Sequence, residues 1–478
     1  MKFAHKSAVS IFSFLLLCSL ALVPAAHATN GMNMEGYGPI ATGMGGASMA
    51  YDNGTAAMMN NPATLSLMES KARLDLAIGF LGPDVTSSMT GMPDAKSSGD
   101  LYMMPAFGYV RKGGQFTYGL GVFAQGGMGT EYDANSFLAV GSGEKVRSEV
   151  SMGRVIIPVS YDVNSQWKVA GSVDFVWAEM DLKMALSGAQ FGDMVASLGG
   201  TQTYGTASGS MVNTLAGAFG SGGLTSMSWA RFDFSDGSDF SGKAKGTGFA
   251  GKLGAVYQMN KELAFGFAYH SKTSIGDLEA NGATLSMNVS GPGVGGGPAT
   301  IPVTGNIKVK NFQWPQMLGL GTAYQASPKL MLVFDYKWIN WADTMKNFKM
   351  TFTASASQPD PLAAGFGLGG QVVDATMYQN WKDQNVFMLG AGYKFTEEFT
   401  GRIGFDIANN PIPDKYENPL FPAIVKNHYM IGGGYAFSKA SSIDFSFTYA
   451  PEVSATNGQG VKTTHSQMNE QIMFSYRF

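Results

Sequence analysis

The chain has 478 residues, of which 45% are hydrophobic, 12% aromatic and only 14% charged, with 63 glycines, one cysteine and a formal net charge of −3. A water-facing surface of this size ordinarily carries about a quarter charged residues, while the hydrophobicity and small net charge exclude disorder and a basic nucleic-acid-binding face. A large β-rich globule, a helical membrane protein and a membrane β-barrel remain.

Lys2 and Lys6 precede an apolar run from Ala8 to Val23, and Ala26-His27-Ala28 supplies the small residues of a cleavage site, so residues 1–28 are expected to be a secretory signal peptide. Leu15-Leu16-Leu17-Cys18 lacks the small residues that precede a lipidated cysteine. Removing the leader removes Cys18, and the mature chain, about 450 residues long, then has no thiol, disulfide or thiolate metal site. Beyond the leader, Gly, Ser or charge interrupts every apolar run short of the roughly 18 residues a transmembrane helix needs. A closed barrel is the other membrane solution.

Residues 29–71 form an irregular Gly-, Met-, Asn- and Ala-rich stretch marked by Gly43-Met44-Gly45-Gly46 and Asn60-Asn61-Pro62-Ala63. It is too irregular for barrel wall, and folding into the lumen as an N-terminal hatch, or plug, is its compact solution. Residues 72–478 then carry period-2 alternation, for example Ile443, Phe445, Phe447 and Tyr449 against Asp444, Ser446 and Thr448. Strands are predicted near 73–81, 101–111, 115–125, 149–163, 167–182, 246–258, 262–277, 303–325, 329–353, 384–395, 399–408, 427–437, 441–450 and 467–478, an even fourteen. Tight turns such as Lys112-Gly113-Gly114, Asn164-Ser165-Gln166, Asn260-Lys261 and Thr396-Glu397-Glu398 alternate with links of roughly sixteen to sixty residues, the longest about 184–245, which is the turn and loop asymmetry of outer-membrane barrels. The expected fold is therefore all-β, a 14-stranded antiparallel transmembrane β-barrel in the bacterial outer membrane, with the hatch inside.

The closing Phe474-Ser475-Tyr476-Arg477-Phe478 resembles the C-terminal signal read by the barrel-assembly machinery. The mature start Asn30-Gly31-Met32-Asn33-Met34-Glu35-Gly36-Tyr37-Gly38, then Gly43-Met44-Gly45-Gly46-Ala47, Asn61-Pro62-Ala63, Tyr118-Gly119-Leu120-Gly121-Val122, Gly129-Thr130-Glu131-Tyr132-Asp133 and Asn410-Pro411-Ile412-Pro413-Asp414 together resemble the outer-membrane long-chain fatty acid transporter family, FadL-like and including the TodX-like hydrocarbon transporters. That resemblance implies passive uptake of hydrophobic small molecules, first of all long-chain fatty acids. It implies loop capture, passage past a hatch shaped by Asn61, Pro62 and Ala63, and lateral exit at a kinked third strand, for which Gly126-Gly127-Met128-Gly129 is the candidate. Uptake of neutral aromatic or aliphatic hydrocarbons is the alternative, and a general porin or structural barrel the one after it.

For the ligand path, Met32, Met34, Met44, Met49, Met58, Met59 and Met68 offer adaptable apolar surface, or else fill gaps under the barrel. Phe123 is a candidate inward aromatic. A carboxylate ligand would need an inward cation, and period-2 register nominates Lys252, Lys337 and Arg402. Asp174, Asp335, Asp406 and Asp444 share that inward face, so interior ion pairing is the competing role. Glu179-Met180-Asp181 stands where family members can carry basic residues, which weighs against a head-group clamp. In the longest loop, Phe191, Met194, Val195 and Leu198, then Met211, Val212, Leu215 and Phe219, have the spacing of short amphipathic helices, either a greasy capture platform or a self-packed lid. His270, His428 and His465 are scattered, so neither catalysis, a metal nor a cofactor is expected. The expected partners are the hydrophobic ligand, outer-membrane lipid and lipopolysaccharide, with no nucleic acid and a monomeric state.

Overall fold

Alternation of two kinds of side chain builds a wall. The structure, a computed structural model, describes residues 30–234 and 243–478; the expected leader lies outside the described residues. In chain order the wall strands are β1 (Ala72–Ser88), β2 (Tyr102–Gly113), β3 (Phe116–Tyr132), β4 (Val146–Asp162), β5 (Trp167–Ser187), β6 (Ala244–Gln258), β7 (Leu263–His270), β8 (Met317–Ser327), β9 (Leu330–Ile339), β10 (Gln384–Lys394), β11 (Phe399–Ala408), β12 (Asn427–Ala436), β13 (Ser441–Thr456) and β14 (Lys462–Arg477). Each pairs antiparallel with the next. β14 pairs back onto β1 from Arg73↔Arg477 to Ser88↔Lys462, so the sheet closes without an edge. On β13, Phe445 and Tyr449 are exposed while Asp444, Ser446 and Thr448 are buried. The outside is thus apolar and the inside polar or small, as lipid on one face requires. No helix among the described residues is long and apolar enough to cross a membrane.

The tight turns lie at one end of the wall, each closed by its own side chain. Asn164 Oδ1 accepts from the backbone N–H of Gln166 and Trp167, Asn260 Oδ1 from Glu262 and Leu263, and Thr396 Oγ1 from Glu398 and Phe399. These short acceptors satisfy N–H groups that a two- to four-residue turn leaves unpaired. Gly114 takes φ +65° at the Gly113-Gly114 turn, a conformation open to glycine. Aromatic pairs gather at the same end: Phe116 with Tyr161, Trp167 with Tyr257, Phe395 with Tyr393 and Phe399, and Tyr476 with Phe478. They form a girdle of the kind that marks a membrane interface.

Three predicted strands need correction. The segment expected at 303–325 is two elements. Pro298–Lys310 pairs with Leu278–Ser290 and Asn347–Ala354 outside the wall, and the wall resumes only at Met317. Asn311 at φ +55° and the proline at 315, which lacks an N–H, end the first ladder. Likewise the strand expected over 329–353 leaves the wall at Ile339, where Trp341–Thr344 turns as one helical segment, and the strand expected over 262–277 breaks after His270 and resumes only as Ser274–Ile275 on the same neighbour, β6. These pieces join Gly205–Ser208, Ser226–Asp233 and Val372–Tyr378 in an outer extension of the sheet. Gly188–Met194 and Ser210–Gly220 are the short helices whose spacing is visible in the long loop. Phe191, Met194, Met211, Val212 and Leu215 are buried, so the apolar faces of these helices are packed.

Candidate functional site: a strand break and two stacked chambers

The segment from Asn30 to the start of β1 lies against the inward face of the wall, almost wholly buried. Lumen-facing glycines let its backbone approach. A Cβ on Gly404 would stand 2.0 Å from Gly45 N, one on Gly390 2.3 Å from Met44 O, and one on Gly266 1.8 Å from Met49 O. Asp335 accepts from the N–H of Ser48 at 2.6 Å and of Met49 at 3.0 Å. Asn61 caps the helical turn Pro62–Leu67 by accepting from Ala63 N at 3.1 Å, and its amide donates to Met49 O at 2.7 Å and to Ala255 O on β6 at 3.1 Å. Pro62 fits the first helical position, where its missing N–H leaves nothing unpaired. Ala63 is fully buried.

The wall is interrupted at β3. Its ladder with β2 runs from Gly113↔Phe116 to Ala106↔Phe123 and stops, although β2 continues to Tyr102 on β1 and β3 continues to Tyr132 on β4. On the β4 side the register shifts between Ala124 and Gly126, leaving Gln125 as an inserted residue. The N-terminal segment takes up the freed groups. Asn33 bridges to Gly126, and Tyr37 donates to Gln125 O at 2.5 Å. The Gln125 side chain receives a hydrogen bond from Arg154. Gly126, Gly127 and Gly129 leave no room for a Cβ, which would meet Met32 O at 2.3 Å, Val150 O at 2.2 Å and the Tyr102 hydroxyl at 2.4 Å respectively.

A chamber of about 690 Å³ opens at this break. Met32, Met34, Leu81, Met103, Met128 and Val150 give it apolar surface, and Glu35, Asp100, Glu131, Glu149, Arg147 and Lys243 also line it. Both cations are engaged by Glu149, at 2.5 Å each. A second chamber of about 420 Å³ lies beyond it among the outer loops, lined by Phe137, Leu138, Met184, Met194 and Leu420, with Tyr204, Lys415 and Tyr416 also on its wall.

The sequence-nominated cations are elsewhere. Lys252 is bound to Asp174, which also holds Arg154 at 2.8 Å, and Arg402 pairs with Asp444 at 2.9 Å. Lys337 lines a small cavity of about 20 Å³ with Asn33, Tyr37, Asn60 and His270, and the carboxylates of Asp406, Asp335 and Glu35 surround it without a direct ion pair. Phe123 is buried beside a cavity of about 30 Å³ shared with Met34, Tyr37 and Met104. None of the four lines either large chamber. The signal that could have located the larger chamber was already in the sequence, in Gly126-Gly127-Met128-Gly129. The acidic residues around it carried no recognisable pattern. The histidines serve the structure: His428 Nδ1 meets Asp406 at 2.6 Å, His270 donates to Asn60 O and His465 to Pro422 O, both at 2.7 Å. Among the described residues no three His, Cys, Asp or Glu side chains are grouped to hold a metal ion.

A closed antiparallel wall, apolar outside and small or polar within, defines a β-barrel of the bacterial outer membrane. The chain belongs to the outer membrane protein transport protein family (OMPP1/FadL/TodX), which it matches over residues 16–476. Among solved structures it is similar to the toluene transporter TodX of Pseudomonas putida, at 30% identity with 93% of this chain and 99% of that chain covered and a TM-score of 0.78. It is 22% identical to the long-chain fatty acid transport protein of Escherichia coli K12, over 96% of this chain and 93% of that protein. A protein encoded in the 5′ region of a phosphoenolpyruvate carboxykinase gene of Chlorobium limicola is 41% identical over 101 residues, 21% of this chain, and the chain spans about half, 48%, of that relative's length.

Proposed function

We propose that this chain carries neutral hydrophobic small molecules passively across the outer membrane, monoaromatic hydrocarbons among them. In this reading the fourteen strands β1–β14 span the membrane, residues 30–71 are the hatch seated by Asn61, Pro62 and Ala63, and ligand leaves sideways at Gly126–Gly129. The observation that carries it is the chamber at the strand break, where four carboxylates face two cations that Glu149 already engages. A ligand carboxylate entering there would meet like charge, whereas an apolar ring meets Met32, Met34, Leu81 and Met103 and carries no charge to repel. TodX, a toluene transporter, supports the same class. Long-chain fatty acid is the second reading. Lys337, a buried cation beside the N-terminal segment, though with Asp335, Asp406 and Glu35 around it, and the resemblance to the fatty acid transport protein favour it.

Uptake of radiolabelled toluene and of oleate by cells expressing the chain separates the two, with mass spectrometry of ligand co-purified with the barrel. Toluene uptake that oleate does not compete supports the neutral reading. Oleate uptake lost in Lys337→Met, with toluene ignored, overturns it.

A further inference from the structure

The two chambers are stacked along the barrel, and one loop segment stands between them. Three wall strands show the stacking, because at the loop-side end of each the lining passes from the inner chamber to the outer. On β1, Met89 just past its end lines the outer chamber and Val85 the inner; on β4, Val146 lines the outer and Arg147 the inner; on β14, Val461 just before it lines the outer and His465 the inner. The segment Glu417-Asn418-Pro419-Leu420-Phe421-Pro422-Ala423, in the loop between β11 and β12, crosses the same level. Glu417 to Leu420 line the outer chamber, and Pro422 and Ala423 line the inner one.

This segment is held chiefly by side chains. Among the described residues the backbone N–H bonds of this segment are local, Glu417 N to Asp414 O, Leu420 N to the Asn418 side chain, Phe421 N to Asn418 O and Ala423 N to Phe421 O, so no ladder ties it to the wall. Wall side chains hold its carbonyls instead. The Tyr132 hydroxyl donates to Pro419 O at 2.9 Å, the Thr130 hydroxyl lies 3.3 Å from Pro419 O and Leu420 O, Ser148 donates to Leu420 O, and His465 to Pro422 O. Prolines at 419 and 422 remove two N–H groups that could have entered a ladder. Side-chain hydrogen bonds of this kind contribute about 1 kcal/mol each and break one at a time, unlike a cooperative ladder.

We infer that residues 417–423 are a second gate, separate from the hatch, which ligand in the outer chamber must displace to reach the chamber at the strand break, with Tyr132, Thr130 and Ser148 as the positioning residues that hold it shut. The proposal rests on the transport reading, but its test does not need the substrate. Cys18 is the sole cysteine and falls in the expected leader, so Ser151→Cys places one reporter thiol in the inner chamber. The purified barrel is reconstituted in liposomes and treated from outside with a membrane-impermeant thiol reagent, with and without Tyr132→Phe, Thr130→Val and Ser148→Ala. The loosened gate should raise the labelling rate at least tenfold. An unchanged rate in a folded barrel, judged by heat-dependent gel migration, overturns the gate. Should the triple variant fail to fold, Tyr132→Phe alone removes one hydroxyl and should give a smaller rise in the same direction; no rise there overturns the gate equally. Toluene uptake is read in parallel. Faster labelling without toluene uptake by any variant leaves the gate standing and removes the neutral-hydrocarbon reading.

Discussion

The half of the barrel nearest the tight turns and the half nearest the long loops solve opposite problems with the same alternating strands. In the turn half, backbone meets backbone: Gly390, Gly404 and Gly266 admit the N-terminal segment closely, and the cavities along that segment are only about 20 and 30 Å³. In the loop half, larger side chains and irregular segments enclose chambers of about 690 and 420 Å³. Close packing resists passage, since interiors at this density have no room for a migrating molecule. The difference means that, in the proposed reading, a ligand admitted from the loop side would leave at the break in β3 before it reaches the packed layer.

The largest effect should come from removing that break. Deleting Gln125 lets β3 continue in regular register with β4 and withdraws the carbonyl that Tyr37 bonds. Hydrocarbon uptake should fall at least tenfold while the barrel still folds, measured by labelled-toluene uptake beside heat-dependent gel migration. Retained uptake would mean that ligand passes straight through the packed layer, and the contrast between the halves would collapse. Gly404→Val attacks the other half. Its Cβ would lie 2.0 Å from Gly45 N and 2.4 Å from Met44 C, backbone atoms that cannot swing aside, and overpacking of this kind costs about 1–3 kcal/mol or more. The N-terminal segment should be dislodged, with a lower urea midpoint and a raised ion conductance in planar bilayers. Asp335→Leu is milder. It leaves the N–H groups of Ser48 and Met49 without their acceptor, at about 1–3 kcal/mol for each buried group. Asp335→Asn, which keeps an acceptor oxygen, should lie between it and the native protein in the same unfolding titration.

How much of this was legible follows the same division. Where the chain alternates with period 2 between side-chain-capped turns, as at β11 and β12, the sequence locates the strand to within a residue or two, because lipid outside and lumen inside impose one rule on every position. That rule lapses beyond the membrane. Pro298–Lys310 and Asn347–Ala354 alternate as well as any wall strand but pair with one another, since periodicity records a half-buried face and not which sheet buries it. Among site residues, Asn61 and Pro62 stood out through the family resemblance, and the glycines at 126, 127 and 129 because glycine marks bends where regular pairing stops. Lys252 and Arg402 were placed on the correct face, yet only their partners Asp174 and Asp444 reveal their occupation, and strand register alone could not choose between ligand and ion pair. The segment 417–423 was invisible because side chains distant in sequence hold it through its carbonyls, which any residue possesses.

That segment also carries the finest test of the comparison, a pH dependence confined to the loop half. Glu417 is buried, and burial pushes its carboxyl up to about 8, from about 4.5 for the free group. Asp414 nearby adds to the rise, while Thr463, donating to Glu417 Oε2 at 3.2 Å, opposes it. Lys415 is turned toward the Tyr204 and Tyr416 rings, and Asn457 holds the Glu417 carbonyl instead of its carboxylate. A carboxyl that stays protonated when buried binds more protons in the closed segment than in an opened one between these two values, so closure is favoured fully below about pH 4.5 and weakens as pH rises through about 8. Hydrogen exchange across 417–423 should therefore accelerate from pH 6 to pH 9 more than intrinsic chemistry accounts for, whereas the N-terminal segment around Met44 and Met49 shows no such excess. In Glu417→Gln, which stays neutral at every pH, the excess should vanish. An equal excess in both proteins would place the titration elsewhere; no excess in either would mean that the segment opens too rarely to be sensed, and the second gate would then have to yield to ligand alone.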